Sequence, residues 1–411
     1  MTGIDDAAAH KEHWARPLRP YREIFSVPGA WRFSAAGVIG RMPMSMFGLG
    51  TVLLISASTG KYGIAGAVSA TGSLGYAIIS PRVARLVDRR GQRRVLLPLV
   101  AIFVLATVAL ILAVELHGPV WAYFVPGAVA GSTMPALGTM VRARWSVLLA
   151  GSPQLHAAFS FESVADELCF IIGPAAVTLL ATEVYSASGV GVAAVLCLVG
   201  TLWFTAQRGT EPAVTPRSVT RVAPRRGRAA AGLPVLVPIY LFLGMMFISI
   251  DLSTVDFAQR AGHKPLAGLI LGVYAFGSAT GGLWYGSRRW RSPLVNRFAL
   301  TLCLTVTGVC TFWLMPNLLV LTCVIYLCGL AIAPTLIAGF SLLEAQAVAE
   351  RKTEAMAWLS SGIGVGVACG ASVVGFLLDA HGYHWGYLFA AACGIISATI
   401  ALAGRRWLRD S

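Results

Sequence analysis

Of the 411 residues, 56% are hydrophobic and only 12% are charged, whereas a soluble domain carries roughly 25% charged residues. That balance excludes a soluble globular fold and calls for a bilayer as solvent. The formal net charge of +14 would suggest a nucleic-acid partner in a soluble protein, but here it must first be weighed against the positive-inside rule.

The opening segment, 1–32, mixes charges and lacks the short apolar core of a cleavable signal, so none is expected. Twelve apolar stretches follow, each near the ~20 residues that a bilayer core requires. They run over 33–57, 63–82, 95–115, 119–141, 158–182, 186–206, 234–257, 266–287, 294–315, 318–341, 356–378 and 384–404. The pattern predicts an all-α membrane protein with twelve transmembrane helices in two pseudo-symmetric six-helix bundles. The bundles span 33–206 and 234–404, joined by a basic linker at 207–233 and followed by a tail at 405–411. All eight cysteines fall within the apolar stretches, without metal-site or disulfide spacing, and read as small packing residues.

The cations give the chain an orientation. With both termini and every even-to-odd connection on one side, that side holds 28 of the 32 Lys and Arg residues. The expectation is a multi-pass protein of the cell (inner or plasma) membrane with both termini cytoplasmic. Topology then absorbs the basic excess, and no nucleic-acid site is needed. Arg outnumbers Lys by 28 to four, a bias that GC-rich codons produce and that points to a bacterium.

The two halves resemble one another. At an offset of 202, Gly75 meets Gly277 and Ala84 meets Gly286. Parallel repeats of this kind are a transporter signature. The loop after span 2 then reads Pro-Arg-Val-Ala-Arg-Leu-Val-Asp-Arg-Arg-Gly-Gln-Arg-Arg over 81–94. With Ala84 at a usual Gly position, followed by Asp88, Arg89, Gly91, Arg93 and Arg94, it resembles the loop signature of the major facilitator superfamily (MFS). Motif, length, central linker and repeat agree, and the resemblance covers the whole chain. It implies a latch between helices at the cytoplasmic side rather than a substrate site. In the second half the Asp position is Trp290, so a second copy would be degenerate.

Ionisable residues within spans cost at least ~2.5 kcal/mol each at a helix centre, which makes them functional candidates. Span 1 carries Arg41, and span 5 carries Glu162, Asp166 and Glu167. Glu162 and Asp166 share a helix face, while Glu167 is turned by about 100°. The resemblance implies that helices 1 and 5 belong to one bundle, so Arg41 is expected to pair with Asp166 or Glu167. One carboxylate of this cluster would take up a proton during transport, and a static ion pair pinning two helices is the structural alternative. Asp251 in span 7 would bind a cationic substrate group or a second proton, or simply face water at the outer mouth.

Span 5 continues into Gly173-Pro174, which resembles the helix-5 Gly-Pro motif of members that export by antiport. An ordinary membrane kink is its rival. The helix-4 Arg usual in the family's drug exporters is absent, and Arg41 would supply that charge from another helix. Gly362, Gly366 and Gly370 form a small-residue stripe on span 11, read as a packing seam. Phe47, Tyr240, Phe247 and Tyr326 are further candidates for contact with a substrate in the cavity.

No phosphate-cradling Gly-rich loop occurs, so ATP is not the expected energy source. The reading is a secondary active transporter working by alternating access: proton-coupled export of a small, partly apolar compound such as a drug or secondary metabolite. Proton-coupled uptake of a small polar nutrient is the alternative, and a membrane-embedded enzyme or scaffold the remote one. No enzyme activity, cofactor or metal is expected. The partners are the substrate, protons and membrane lipids, and the working unit is a monomer.

Overall fold

The computed structural model describes residues 19–60, 62–213, 232–263, 266–288, 290–347 and 351–409. Expectations for residues 1–18, for most of the linker (214–231), and for Lys61, Lys264 and Arg289 lie outside them. Eleven described helices are long and apolar enough to cross a membrane. The twelfth by position is span 2, Tyr62–Arg90, whose 29 residues suffice in length while Gly, Ser, Thr and its Arg residues lower its mean hydropathy. Side chains such as Leu105, Phe376 and Leu319, exposed at 69%, 72% and 75%, clothe the outside. Only lipid tolerates such a surface. The chain is a multi-pass membrane protein.

Spans 1 and 4 are broken helices. Span 1 runs Ala30–Arg41 and then Pro43–Thr59, with Pro43 opening the second segment, where its missing N–H leaves no bond unmade. Span 4 runs Trp121–Thr133 and Leu137–Leu148. Met134 is extended, with ψ 121°, because the residue before a proline is pushed out of the helical region. The sequence reading ended this span at 141. The structure instead carries it to Leu148 and draws Arg142 and Arg144 out of the expected loop, to 3% and 0% exposure.

The other spans are Gln92–Glu115 (3), Leu155–Glu183 (5), Ser188–Ala206 (6), Leu233–Arg260 (7), Leu266–Ser287 (8), Leu294–Val309 (9), Leu318–Gln346 (10), Lys352–His381 (11) and Tyr383–Ala403 (12). In the first half, span 2 packs on span 4 and span 1 on span 6. In the second half, span 8 packs on span 10, and span 7 on spans 11 and 12. Between halves, span 2 meets span 11, and span 5 meets spans 8 and 10.

Glycines set how closely these helices approach. Gly75 of span 2 abuts Ala128 and Ser132 of span 4, while Gly277 of span 8 abuts Tyr326 of span 10. Residues matched at the offset of 202 thus occupy equivalent helix contacts in the two halves. On span 11, Gly362, Gly366 and Gly370 lie against the backbone of span 7 at Val237, Leu241 and Met245. A Cβ at Gly366 would stand 1.9 Å from the Leu241 carbonyl oxygen, whereas one at Gly364 would meet nothing within 4 Å. Gly366→Ala is therefore expected to destabilise the fold by about 1–3 kcal/mol. Thermal unfolding of the detergent-solubilised protein checks this, with Gly364→Ala expected to unfold as the parent does.

Candidate functional site

Four charged side chains meet deep in the first bundle. Arg41 ends the first segment of span 1, and its Nη1 donates to Asp166 Oδ1 at 2.6 Å. Its Nη2 donates to Glu162, and its Nε to the Gly37 carbonyl oxygen at 3.2 Å. Glu162 is fully buried and accepts further bonds from Ser34 Oγ at 2.6 Å and Trp145 Nε1 at 3.0 Å. Asp166 receives a second guanidinium, Arg142 Nη2, at 2.6 Å. Two cations and two carboxylates therefore neutralise one another across spans 1, 4 and 5, and buried charges persist only on such terms.

Arg142 also reaches the other bundle. Its guanidinium carbon lies 4.6 Å from the ring centroid of Phe340 on span 10, a cation–π contact. Arg144 has a different role: it binds Gln92, Thr210 and the Phe204 and Gln207 carbonyls, tying the ends of spans 3, 4 and 6 together.

Glu167 stands apart from this set. Its Oε1 accepts a hydrogen bond from Ser278 Oγ of span 8 at 2.8 Å, across the gap between bundles. No cation bonds to it among the described residues. Asp251 on span 7 is half-buried and has no hydrogen-bond or ion-pair partner among the described residues.

The bundles are sealed on the side that carries the basic connections. Span 2 brings Asp88 Oδ2 to within 3.1 Å of the Glu354 backbone N–H in the first turn of span 11, where a helix N-terminus favours an anion. Arg85 donates to Glu354 Oε1 at 2.5 Å, and Arg351 binds the same carboxylate. Between spans 5 and 8, His156 Nε2 lies 3.1 Å from the Tyr285 carbonyl oxygen, and Gly286 admits Ser160. Tyr21 donates to the Leu283 carbonyl oxygen at 2.8 Å. Among the described residues, every hydrogen bond and ion pair between bundles lies on this side or at mid-depth, and none joins their opposite ends.

A family model described as "Major Facilitator Superfamily" matches residues 33–294 and 263–410. The chain belongs to that superfamily. No curated protein matches the sequence. Among solved structures, the human organic anion transporter MFSD10 (TETRAN) is 16% identical, with TM-score 0.70, over 91% of this chain and 100% of that one. A bacterial homologue of the iron transporter ferroportin, in an outward-facing state, is 14% identical with TM-score 0.71, covering 92% and 98%. The MFS transporter FucP, in the outward conformation, is 15% identical with TM-score 0.68, covering 94% and 99%. This MFS chain is a transporter of a small molecule and not an enzyme.

The MFS loop residues can now be placed. Ala84 is fully buried, and Gly91 turns the chain between spans 2 and 3 at φ +88°, a conformation that L side chains rarely adopt. Asp88 makes the contact between bundles, joined by Arg85 and Glu354, which the loop motif alone did not single out. Among the described residues, Arg89, Arg93 and Arg94 make no hydrogen bond or ion pair to the other bundle. Arg93 N–H instead donates to Glu211 at 2.9 Å within the first half. Gly173 lies against Ser45 of span 1, and span 5 continues unbroken through Pro174, so the Gly-Pro pair packs inside the first bundle.

Two of the proposed cavity aromatics are core residues instead. Phe47 packs on Phe103 at 5.4 Å between ring centroids, and Tyr240 is fully buried, bonded to the Leu336 carbonyl oxygen. Aromatic rings on a helix lacking a charged neighbour give no sign of which way they face. Phe247 is partly buried one turn from Asp251, and Tyr326 stacks on the exposed Phe276.

Asp166→Asn would leave two guanidiniums without a shared anion and is expected to cost about 3–5 kcal/mol of stability. Glu167→Gln, which breaks no ion pair, is expected to keep the parent's unfolding temperature. Spin labels at the ends of spans 2 and 11 that meet through Asp88 and Glu354 test the seal. Their distance distribution is expected to broaden and lengthen in Asp88→Asn.

Proposed function

We propose that this transporter exports a small, partly apolar compound in exchange for protons, by alternating access. The observation that carries the reading is Glu167: a carboxylate at mid-depth between the bundles, held by one hydroxyl and, among the described residues, by no cation. An intramembrane carboxylate without a cationic partner is the kind of group that proton relays in transporters use. Asp166 and Glu162, by contrast, already have their cations. They are better suited to keeping the first bundle rigid.

In this reading the basic side is cytoplasmic, as the positive-inside rule expects, and the structure corresponds to an outward-facing state. Glu167 loads a proton from outside, the bundles rock, and deprotonation inside accompanies substrate binding for the return. Arg41 has its donors occupied by Asp166, Glu162 and Gly37, which argues against a role in holding an anionic nutrient. The transporter would sit as a monomer in a bacterial plasma membrane, with both termini cytoplasmic and the proton gradient as its energy source. Related structures include an organic anion transporter and an iron-transporter homologue; at such low identity they share only the fold, and their substrates do not carry over.

The test is accumulation of a chemically broad compound panel in efflux-deficient bacteria, with and without a protonophore. Lower accumulation that the protonophore reverses is expected, and Glu167→Gln is expected to abolish it at equal expression. Higher accumulation would reverse the direction, and unaltered export by Glu167→Gln would remove Glu167 from the coupling.

A further inference from the structure

The carboxylates at the centre of the molecule outnumber the guanidiniums that touch them. Arg41 and Arg142 balance Glu162 and Asp166, which leaves Glu167 and Asp251 as two carboxyl groups with no counterion among the described residues. The one basic residue on span 7, Arg260, is already bound to Asp256 at 2.7 Å. Glu167 and Asp251 come from opposite bundles yet lie close enough for their charges to act on one another.

A second observation falls in the same place. Tyr274 of span 8 is 7% exposed, and its hydroxyl has no hydrogen-bond partner among the described residues. Its surroundings include the charges of both Asp251 and Glu167. A buried hydroxyl without a partner costs ~1–3 kcal/mol, so one kept beside two carboxyl groups that have no cation is open to a further polar partner. Ser278 lies one turn further along the same face of span 8 and already touches Glu167. Phe247 lies one turn before Asp251 on span 7, adding an aromatic surface.

We infer that Asp251, Glu167 and Tyr274 form a subsite for an organic cation, so that the transported compound is a protonated amine or onium ion on an apolar body. This deepens the export reading and rests on it. The ammonium group sits between the two carboxylates, with the Tyr274 oxygen accepting from an N–H and its ring facing the positive charge. A bare metal ion fits poorly: among the described residues, no three His, Cys, Asp or Glu side chains gather to hold one. A drug-like cation needs fewer polar contacts, placed within a mainly apolar lining. Because cation and proton compete for Glu167, arrival of one expels the other, which is what antiport requires.

The experiment is direct binding to the purified protein in detergent, with tetraphenylphosphonium, ethidium and dodecylamine as probes and an uncharged alcohol matched to dodecylamine as control. The parent is expected to bind at least one cation and not the alcohol, releasing protons to a pH indicator as it does so. Asp251→Asn is expected to weaken binding tenfold or more at an unchanged unfolding temperature, and Asp251→Glu to restore most of it. Equal binding by parent and Asp251→Asn, or by amine and alcohol, would overturn the inference, as would failure of all three cations to bind. Protonophore-sensitive export of neutral compounds alongside any of these results would leave the export reading standing without the cation subsite. Cation binding that depends on Asp251 and is weakened by Glu167→Gln, with accumulation of the compound panel in cells unchanged or raised, would leave the subsite standing without the export reading.

Discussion

The arrangement depends on keeping Arg41 charged inside the membrane. A guanidinium does not lose its proton under biological conditions, so the helices around it must bring it anions. Glu162 and Asp166 do so from span 5, one helical turn apart on a shared face. Asp166 then has a second oxygen to satisfy, and Arg142 from span 4 meets it. The breaks at Met42 and at Met134–Ala136 belong to the same arrangement, since each segment after a break starts on a new heading. The second segment of span 4 holds Arg142 inside the bundle, at 3% exposure.

This neutral quartet separates rigidity from chemistry. Glu162, wrapped by Arg41, Ser34 and Trp145, has little room to change its state. Glu167, one residue beyond Asp166, points away from the quartet toward the other bundle, where a single hydroxyl holds it. Neighbouring residues on one helix thus receive opposite surroundings through the 100° turn between them. Arg142 connects the two regions, binding Asp166 with one nitrogen while its face lies on Phe340 of span 10. The closed side of the gap is assembled from helix ends and small residues: Asp88 at the start of span 11, and Ser160 against Gly286. Such contacts are numerous but individually modest, as suits an interface that must open and re-form.

Much of the fold was legible in the sequence because lipid imposes strong constraints. Span lengths, the lopsided distribution of Arg, and the offset of 202 each follow from solvation or packing that acts on short stretches of chain. The charged candidates in spans 1 and 5 were legible for the same reason, since a charge in an apolar run is conspicuous wherever it ends up pointing. Arg142 was not, because it follows the apolar run and looked like a loop cation; the only local sign was Pro135, seven residues earlier. Phe47 and Tyr240 were misplaced as cavity residues because an aromatic ring is equally at home in core, cavity or lipid. Tyr274 and Ser278 were invisible as site residues, being ordinary members of an apolar helix.

What the sequence determined by itself is therefore the class of solvent, the number of crossings, the repeat and the presence of costly charges. These depend on composition and spacing along the chain. What only the tertiary structure decided is the pairing of those charges: which carboxylates acquire guanidiniums and which remain bare. Pairing depends on the rotation of each helix about its axis and on the two breaks that redirect spans 1 and 4. The breaks fall at Pro43 and Pro135, but the rotations are set by contacts between residues more than 100 positions apart, such as Arg41 with Asp166 and Asp88 with Glu354. No local pattern encodes such a distance, and only the packed bundle brings these residues together.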